Sequence, residues 1–178
     1  VKVLTLPELC VTGYTCGDLF LQDTLLDGAM DALRAIMEAT RELEVLTALG
    51  RPLRSGNKLY NCAVVIQRGQ VVAVVPKTYI PNYGEFYEKR WFASGAGMEE
   101  HSFSVRVPEL EGEFGPWLEM FGACPLISCP DVPGLVIGVE ICEDLWATDA
   151  PSRTLAERGA TLILNLSASD EVAGKAAY

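Results

Sequence analysis

Two rhythms of apolar and polar residues alternate along the chain. Short apolar runs at residues 1–6, 45–49, 59–66, 71–75, 134–141 and 161–166 are rich in Val, Leu and Ile and are closed by Gly, Pro or small polar residues. Runs of that length predict buried strands, and residues 102–107 predict a further one. From Leu19 to about Glu44 the spacing changes. Leu21, Leu25, Leu26, Ala29, Met30, Leu33, Ile36 and Met37 recur at three and four, which predicts a long helix with one apolar face. Residues 150–158 predict a shorter helix capped by Gly159. Gln67-Arg68-Gly69-Gln70 is a hairpin signal, with glycine placed for positive φ. Residues 125–128 form a hairpin-like pair with the strand after Gly134. Gly50 predicts the end of the second strand, residues 52–58 a polar loop, and the acidic stretch 108–122 a surface excursion. Strands alternating with helices predict an α/β fold.

Three of these runs deliver a charged or reactive residue at their ends. The run 134–141 stops at Cys142, set among Glu140, Glu143 and Asp144. The first run stops at Pro7 and hands over Glu8; the run 71–75 stops at Pro76 and hands over Lys77. In α/β proteins such strand ends are where reactive groups collect. Each residue also has a plain reading. Most free cysteines are small buried hydrophobes, a glutamate in a turn accepts backbone hydrogen bonds, and a lysine after a strand is usually a solvated charge. Acidic neighbours would push the Cys142 thiol up, so a reactive Cys142 needs help. The single histidine, His101, lies in a polar stretch and makes a poor partner. A carboxylate base with a lysine nearby to offset the charge is the better solution, and Glu8, flanked by Pro7, Leu9 and Val11, has the poorly solvated setting of a general base. After Lys77, residues 78–92 pack six aromatics beside charges of both signs, more like a shaped binding loop than a linker.

Composition narrows the classes. A chain of 178 residues, 49% hydrophobic, fits one domain, residues 1–178, with a real core. A formal charge of −10 argues against nucleic acid and against an anionic membrane as partner. No apolar run approaches the ~18 residues of a membrane span, and a cytoplasmic protein is expected. The six cysteines contain no Cys-x-x-Cys pair, so reduced thiols are expected and a metal site is not. The chain opens at Val1 without methionine and is expected to be a piece of something longer.

Taken together, Glu8, Lys77 and Cys142 resemble the Glu-Lys-Cys triad of the nitrilase, or carbon-nitrogen hydrolase, superfamily. Leu6-Pro7-Glu8-Leu9, Pro76-Lys77 and Glu140-Ile141-Cys142-Glu143-Asp144 are similar to its three local motifs, and Glu85 to the second glutamate that many members carry. Longer stretches, at residues 9–20, 59–65 and 85–92, look like one branch, the amidase domain of bacterial glutamine-dependent NAD synthetases. The resemblance implies a nitrilase-type α-β-β-α sandwich, incomplete at both ends, that hydrolyses the side-chain amide of glutamine. By the same resemblance Glu8 is the base, Cys142 the nucleophile and Lys77 an oxyanion donor, with Glu85 orienting Lys77 or the amide. Tyr83, Glu143 and Ser169 would line the glutamine pocket, and Lys175 could meet the α-carboxylate. No cofactor is expected in this domain. The resemblance implies that ATP, Mg and deamido-NAD belong to a synthetase domain in cis, expected to lie outside this stretch, and that homo-oligomers pair through a helical face. Two alternatives stay open: a stand-alone amidase for another small amide, and an inactive assembly fragment.

Overall fold

The computed structural model describes residues 1–96, 98, 125–170 and 173–174. Along the chain run β1 (Val3–Thr5), α1 (Asp23–Ala39), β2 (Leu46–Ser55), β3 (Lys58–Gln67), β4 (Gln70–Pro76), β5 (Ile127–Ser128), β6 (Val136–Ile141), α2 (Pro151–Glu157) and β7 (Leu162–Leu166). The strand expected at 102–107, the excursion at 108–122 and His101 lie outside the described residues.

The strands make two sheets. One has the order β1-β2-β3-β4, with β1 parallel to β2 and the rest antiparallel; the other has the order β5-β6-β7, with β6 and β7 parallel. Alternation along each strand divides its apolar residues between two faces. The inner faces meet in a shared layer: Ala48, Ala63, Val65, Ala73 and Val75 from the first sheet against Ile137, Val139, Ile141, Leu164 and Leu166 from the second. Small residues on one side opposite large ones on the other let the sheets interdigitate. The outer face of the first sheet, with Leu49, Cys62, Val64, Ile66 and Val74, is covered by Met30, Leu33 and Met37 of α1. On the second sheet α2 lies so close over β6 that a Cβ at Gly138 would come within 2.9 Å of Leu155. Helix, sheet, sheet, helix is thus the layer order, as expected.

Three elements depart from the sequence reading. The long helix begins at Asp23, because residues Gly17–Leu21 form a 3-10 turn that leaves Leu21 exposed. It ends at Ala39, where the Thr40 hydroxyl donates back to the Ile36 carbonyl. β2 does not stop at Gly50 but continues to Ser55, and the supposed loop 52–58 is the tip of the β2–β3 hairpin. Pro52 is tolerated because it lies beyond the β1 pairing, which ends at Ala48, and at a register position where a backbone N–H would point away from β3. Gly50 serves another purpose. A Cβ there would sit 2.2 Å from Leu9 N and 2.7 Å from Pro7 O, so glycine is what lets the chain after β1 lie flat on β2. The other hairpin is as expected, with Arg68 and Gly69 both at positive φ between β3 and β4.

Candidate active site

β1, β4 and β6 end at the same edge of the sandwich. Beyond β1 the chain presses onto Gly50, and Leu9, fully buried, takes a φ of 51°. That kink turns Glu8 inward, where it is 2% exposed. At the end of β4 Lys77 is pinned by its backbone, its N–H donating to Asn61 O (2.8 Å) and its carbonyl accepting from Gly95 N (2.8 Å). Its side chain is fully buried. Lys77 Nζ donates to Glu8 Oε1 at 2.6 Å and to Glu88 Oε1 and Oε2 at 2.8 and 3.0 Å. Asn61 Nδ2 donates to the same Glu8 oxygen at 2.6 Å, and Tyr14 Oη donates to Glu88 Oε1 at 2.7 Å. Glu8 Oε2 is buried and accepts no hydrogen bond among the described residues.

One ammonium therefore stands against two buried carboxylates. Burial pulls the Lys77 pKa down, but the charges of Glu8 and Glu88 outweigh it and hold it above the ordinary lysine value. Burial pushes the Glu88 carboxyl up, against the opposing pull of Lys77 and Tyr14.

Cys142 follows β6 directly and takes a φ of 47°, a left-handed backbone that a non-glycine residue adopts only under constraint. Asp144 supplies the constraint. Its buried carboxylate accepts from Ile141 N (3.1 Å) on its own strand and from Thr78 N (3.0 Å) and Tyr79 N (2.7 Å) on the chain after Lys77. One side chain thereby ties the cysteine elbow of the second sheet to the lysine end of the first. Burial pushes Asp144 up to about 6 in spite of these donors. Ser167 Oγ, just past β7, lies 3.5 Å from Cys142 Sγ, and Asn165 Nδ2 lies 3.5 Å from the Cys142 carbonyl.

The acidic surroundings of Cys142 resolve into separate duties. Glu140 accepts from Ser152 N at the start of α2 and from Asn165 Nδ2, Asp144 staples the elbow, and Glu143 accepts both of its bonds from Tyr83 Oη at 2.8 Å. The thiol is pushed up first by burial and then by the charge of Glu8, while Ser167 and Lys77 pull it down. The carboxylate acting on the sulfur comes from across the sandwich, not from the neighbours in sequence that the sequence reading blamed.

The residue types at this edge, a thiol, a buried carboxylate with an open oxygen and a buried ammonium, are equipped for acyl transfer. The family model for carbon-nitrogen hydrolases matches residues 1–176. The chain belongs to the carbon-nitrogen hydrolase family. Within that family it is 42% identical over 170 residues to the glutamine-dependent NAD(+) synthetase of Mycobacterium tuberculosis H37Rv, across 96% of this chain and 24% of that one. The human glutamine-dependent NAD(+) synthetase is 29% identical over 174 residues, across 96% and 24%. The crystal structure of a glutamine-dependent NAD(+) synthetase from Cytophaga hutchinsonii superposes with a TM-score of 0.76 at 34% identity, over 99% of this chain and 26% of that one. An amidase from Nesterenkonia sp. AN1, at 21% identity and a TM-score of 0.67 over 99% and 57%, shares the fold. The chain spans about a quarter of the length of the synthetases it matches.

Of the sequence-derived site residues, this carbon-nitrogen hydrolase domain brings Glu8, Lys77 and Cys142 together. Tyr83 and Glu143 join each other beside the elbow and line a cleft of about 660 Å³ with Tyr79, Asn82 and Lys89. Ser169 is exposed two residues beyond Ser167, and Lys175 lies outside the described residues. Glu85 does not take the place beside Lys77. It lies exposed on the loop, whereas Glu88, three residues on, is buried against Lys77. The 3-10 turn Glu88–Arg90, anchored by Phe92 packed on Phe20, turns Glu88 inward. Sequence reasoning also missed Asn61, Tyr14 and Ser167. Asn61 did leave a signal, a polar residue inside an apolar strand that must find a partner. Among the described residues no cluster of His, Cys, Asp and Glu is arranged to hold a metal, and no helix is long and apolar enough to cross a membrane.

Proposed function

We propose that this domain hydrolyses the side-chain amide of glutamine and supplies the ammonia to an ATP-dependent synthetase domain in cis, which amidates deamido-NAD to NAD. The observation that carries the reading is the open, buried oxygen of Glu8 beside a strained Cys142 on a lysine held by two glutamates. Similarity along nearly the whole chain to glutamine-dependent synthetases supports the substrate.

The thiol, pushed up by burial and by Glu8, is neutral at rest, so its proton must leave as it attacks. Glu8 takes that proton while sulfur adds to the amide carbon. Lys77 holds Glu88 through both oxygens. One of its hydrogens can turn to the developing oxyanion while the others keep a bond to each glutamate; such donors are typically worth ~3 kcal/mol. The tetrahedral adduct collapses, the carbon–nitrogen bond breaks, and Glu8 returns the proton to the departing ammonia. Water, deprotonated by Glu8, then adds to the thioester carbon; the carbon–sulfur bond breaks, glutamate leaves and the thiol is restored. Glu143, braced by Tyr83, suits the substrate's α-ammonium group. Ser169 and Lys175 are proposed for the rest of the amino-acid moiety. ATP, Mg and deamido-NAD would bind the synthetase domain. Assembly into homo-oligomers in the cytoplasm completes the reading.

The test is peptide mass spectrometry after exposure to a glutamine-mimicking diazo ketone. A single adduct on Cys142 that excess glutamine suppresses is the expected result, and Cys142→Ala should abolish hydrolysis while leaving the fold intact. An adduct indifferent to glutamine would point to another amide. Labelling spread over several cysteines would remove the nucleophile assignment.

A further inference from the structure

The two glutamates around Lys77 are not satisfied alike. Every oxygen of Glu88 is engaged, Oε1 by Tyr14 and Lys77 and Oε2 by Lys77. Glu8 has both of its donors, Asn61 and Lys77, on Oε1 and keeps Oε2 open. A carboxylate whose oxygens all accept hydrogen bonds is a poor proton acceptor; one with a free oxygen is a good one. The only donor to Glu88 besides Lys77, among the described residues, is the Tyr14 hydroxyl.

The chain takes trouble to bring that hydroxyl back. After Leu9 the backbone folds on itself, with Thr12 N and Gly13 N both donating to Leu9 O, and Gly13 turns at a φ of 86°. Tyr14 then packs against the cluster of Leu9, Phe20 and Phe92, with its ring half-buried. Glu88 is faced by Lys77 from the end of β4 and by Glu8 and Tyr14 from the segment after β1, and Tyr14 in turn by Cys142. Its neighbours Lys89 and Arg90 are exposed, and Arg90 is held by Asp18.

We propose that Tyr14 is a positioning residue that divides the work between the glutamates: its hydroxyl keeps Glu88 ionised as the standing counter-ion of Lys77, so that the proton of Cys142 passes to Glu8 Oε2. The inference rests on the reading of Glu8, Lys77 and Cys142 as the reacting groups. Without the hydroxyl, Glu88 competes for the proton, and the charge pattern that aims Lys77 collapses at higher pH.

The measurement is the pH dependence of Cys142 alkylation by iodoacetamide, followed by peptide mass spectrometry on the full-length protein, with glutamine hydrolysis in parallel. Tyr14→Phe, which keeps the ring, should move the acid limb to higher pH by about one to two units, the scale of one hydrogen bond to a charged group. On a Glu88→Gln background the same substitution should move it no further. A 3-fluorotyrosine at position 14, a stronger donor of the same shape, should move the limb to lower pH. An unmoved limb in Tyr14→Phe, or an equal shift on the Glu88→Gln background, overturns the proposal while leaving the triad standing. A wild-type profile that Glu8→Gln leaves unchanged removes the triad reading, and this inference with it.

Discussion

Two clasps join the segment after β1 to the loop after β4, and they are built from matching parts. In one, Glu88 accepts from the cation of Lys77 and from the neutral donor Tyr14. In the other, Asp18 accepts from the cation of Arg90 at 2.6 and 2.8 Å and from the neutral donor Trp91 at 2.9 Å. Only their surroundings differ. Glu88 and Lys77 are sealed from solvent, whereas the side chains of Asp18 and Arg90 stay 62% and 51% exposed. Hydrogen bonds from Arg90 and Trp91 hold the Asp18 carboxyl well below the usual range, yet water and salt screen what that is worth. In the buried clasp nothing screens the charges, so each partner is indispensable to the others. The same chemistry is a surface fastening in one place and part of the proposed reacting centre in the other.

The sharpest way to break the contrast is Lys77→Met, which leaves two buried carboxylates without a cation. It should cost about 3–5 kcal/mol in urea unfolding and slow thioester formation by orders of magnitude; a change confined to KM for glutamine would contradict the oxyanion role. Asp144 extends the comparison to a buried carboxylate served by backbone donors alone. Its folded-state pKa, about 6, is raised, so the folded protein holds that proton more tightly than the unfolded chain does. Its contribution to stability is fully present below the unfolded value near 4 and is lost as pH rises through 6. Relative to Asp144→Asn, the wild type should therefore lose about 3 kcal/mol between those limits, measured as unfolding midpoints against pH. Gly50→Ala reaches the buried clasp through the backbone. The added Cβ collides with Leu9 N and should cost about 1–3 kcal/mol while lowering Cys142 reactivity, since Glu8 moves with Leu9. Smallest of all, Asp18→Asn should leave hydrolysis unchanged, and any shift in melting temperature should vanish in high salt.

Much of the frame was legible in the residues. β3 and β4 and their hairpin, the apolar face of α1, and the arrival of Glu8, Lys77 and Cys142 at strand ends all follow from period and punctuation. Gly50 was misread as a terminator because glycine marks both chain stops and close approaches. Only the packing of the chain after β1 onto β2 tells the two apart. Glu85 was named, and Glu88 passed over, because the family resemblance rested on spacing from Lys77, and spacing along an irregular loop does not say which glutamate turns inward; the anchoring of Phe92 on Phe20 makes that choice.

What the sequence determined by itself is local: which residues share a face, where strands end, and which reactive groups those ends carry. The tertiary structure decided the partners. Asn61, Lys77 and Tyr14 reach the glutamates across 53, 69 and 74 residues of chain. Such contacts depend on how two sheets and one folded-back loop meet. A repeat of two or of 3.6 residues assigns a side chain to a face, but the low dielectric and the fixed distances that turn three charges into a site exist only once those faces close on one another.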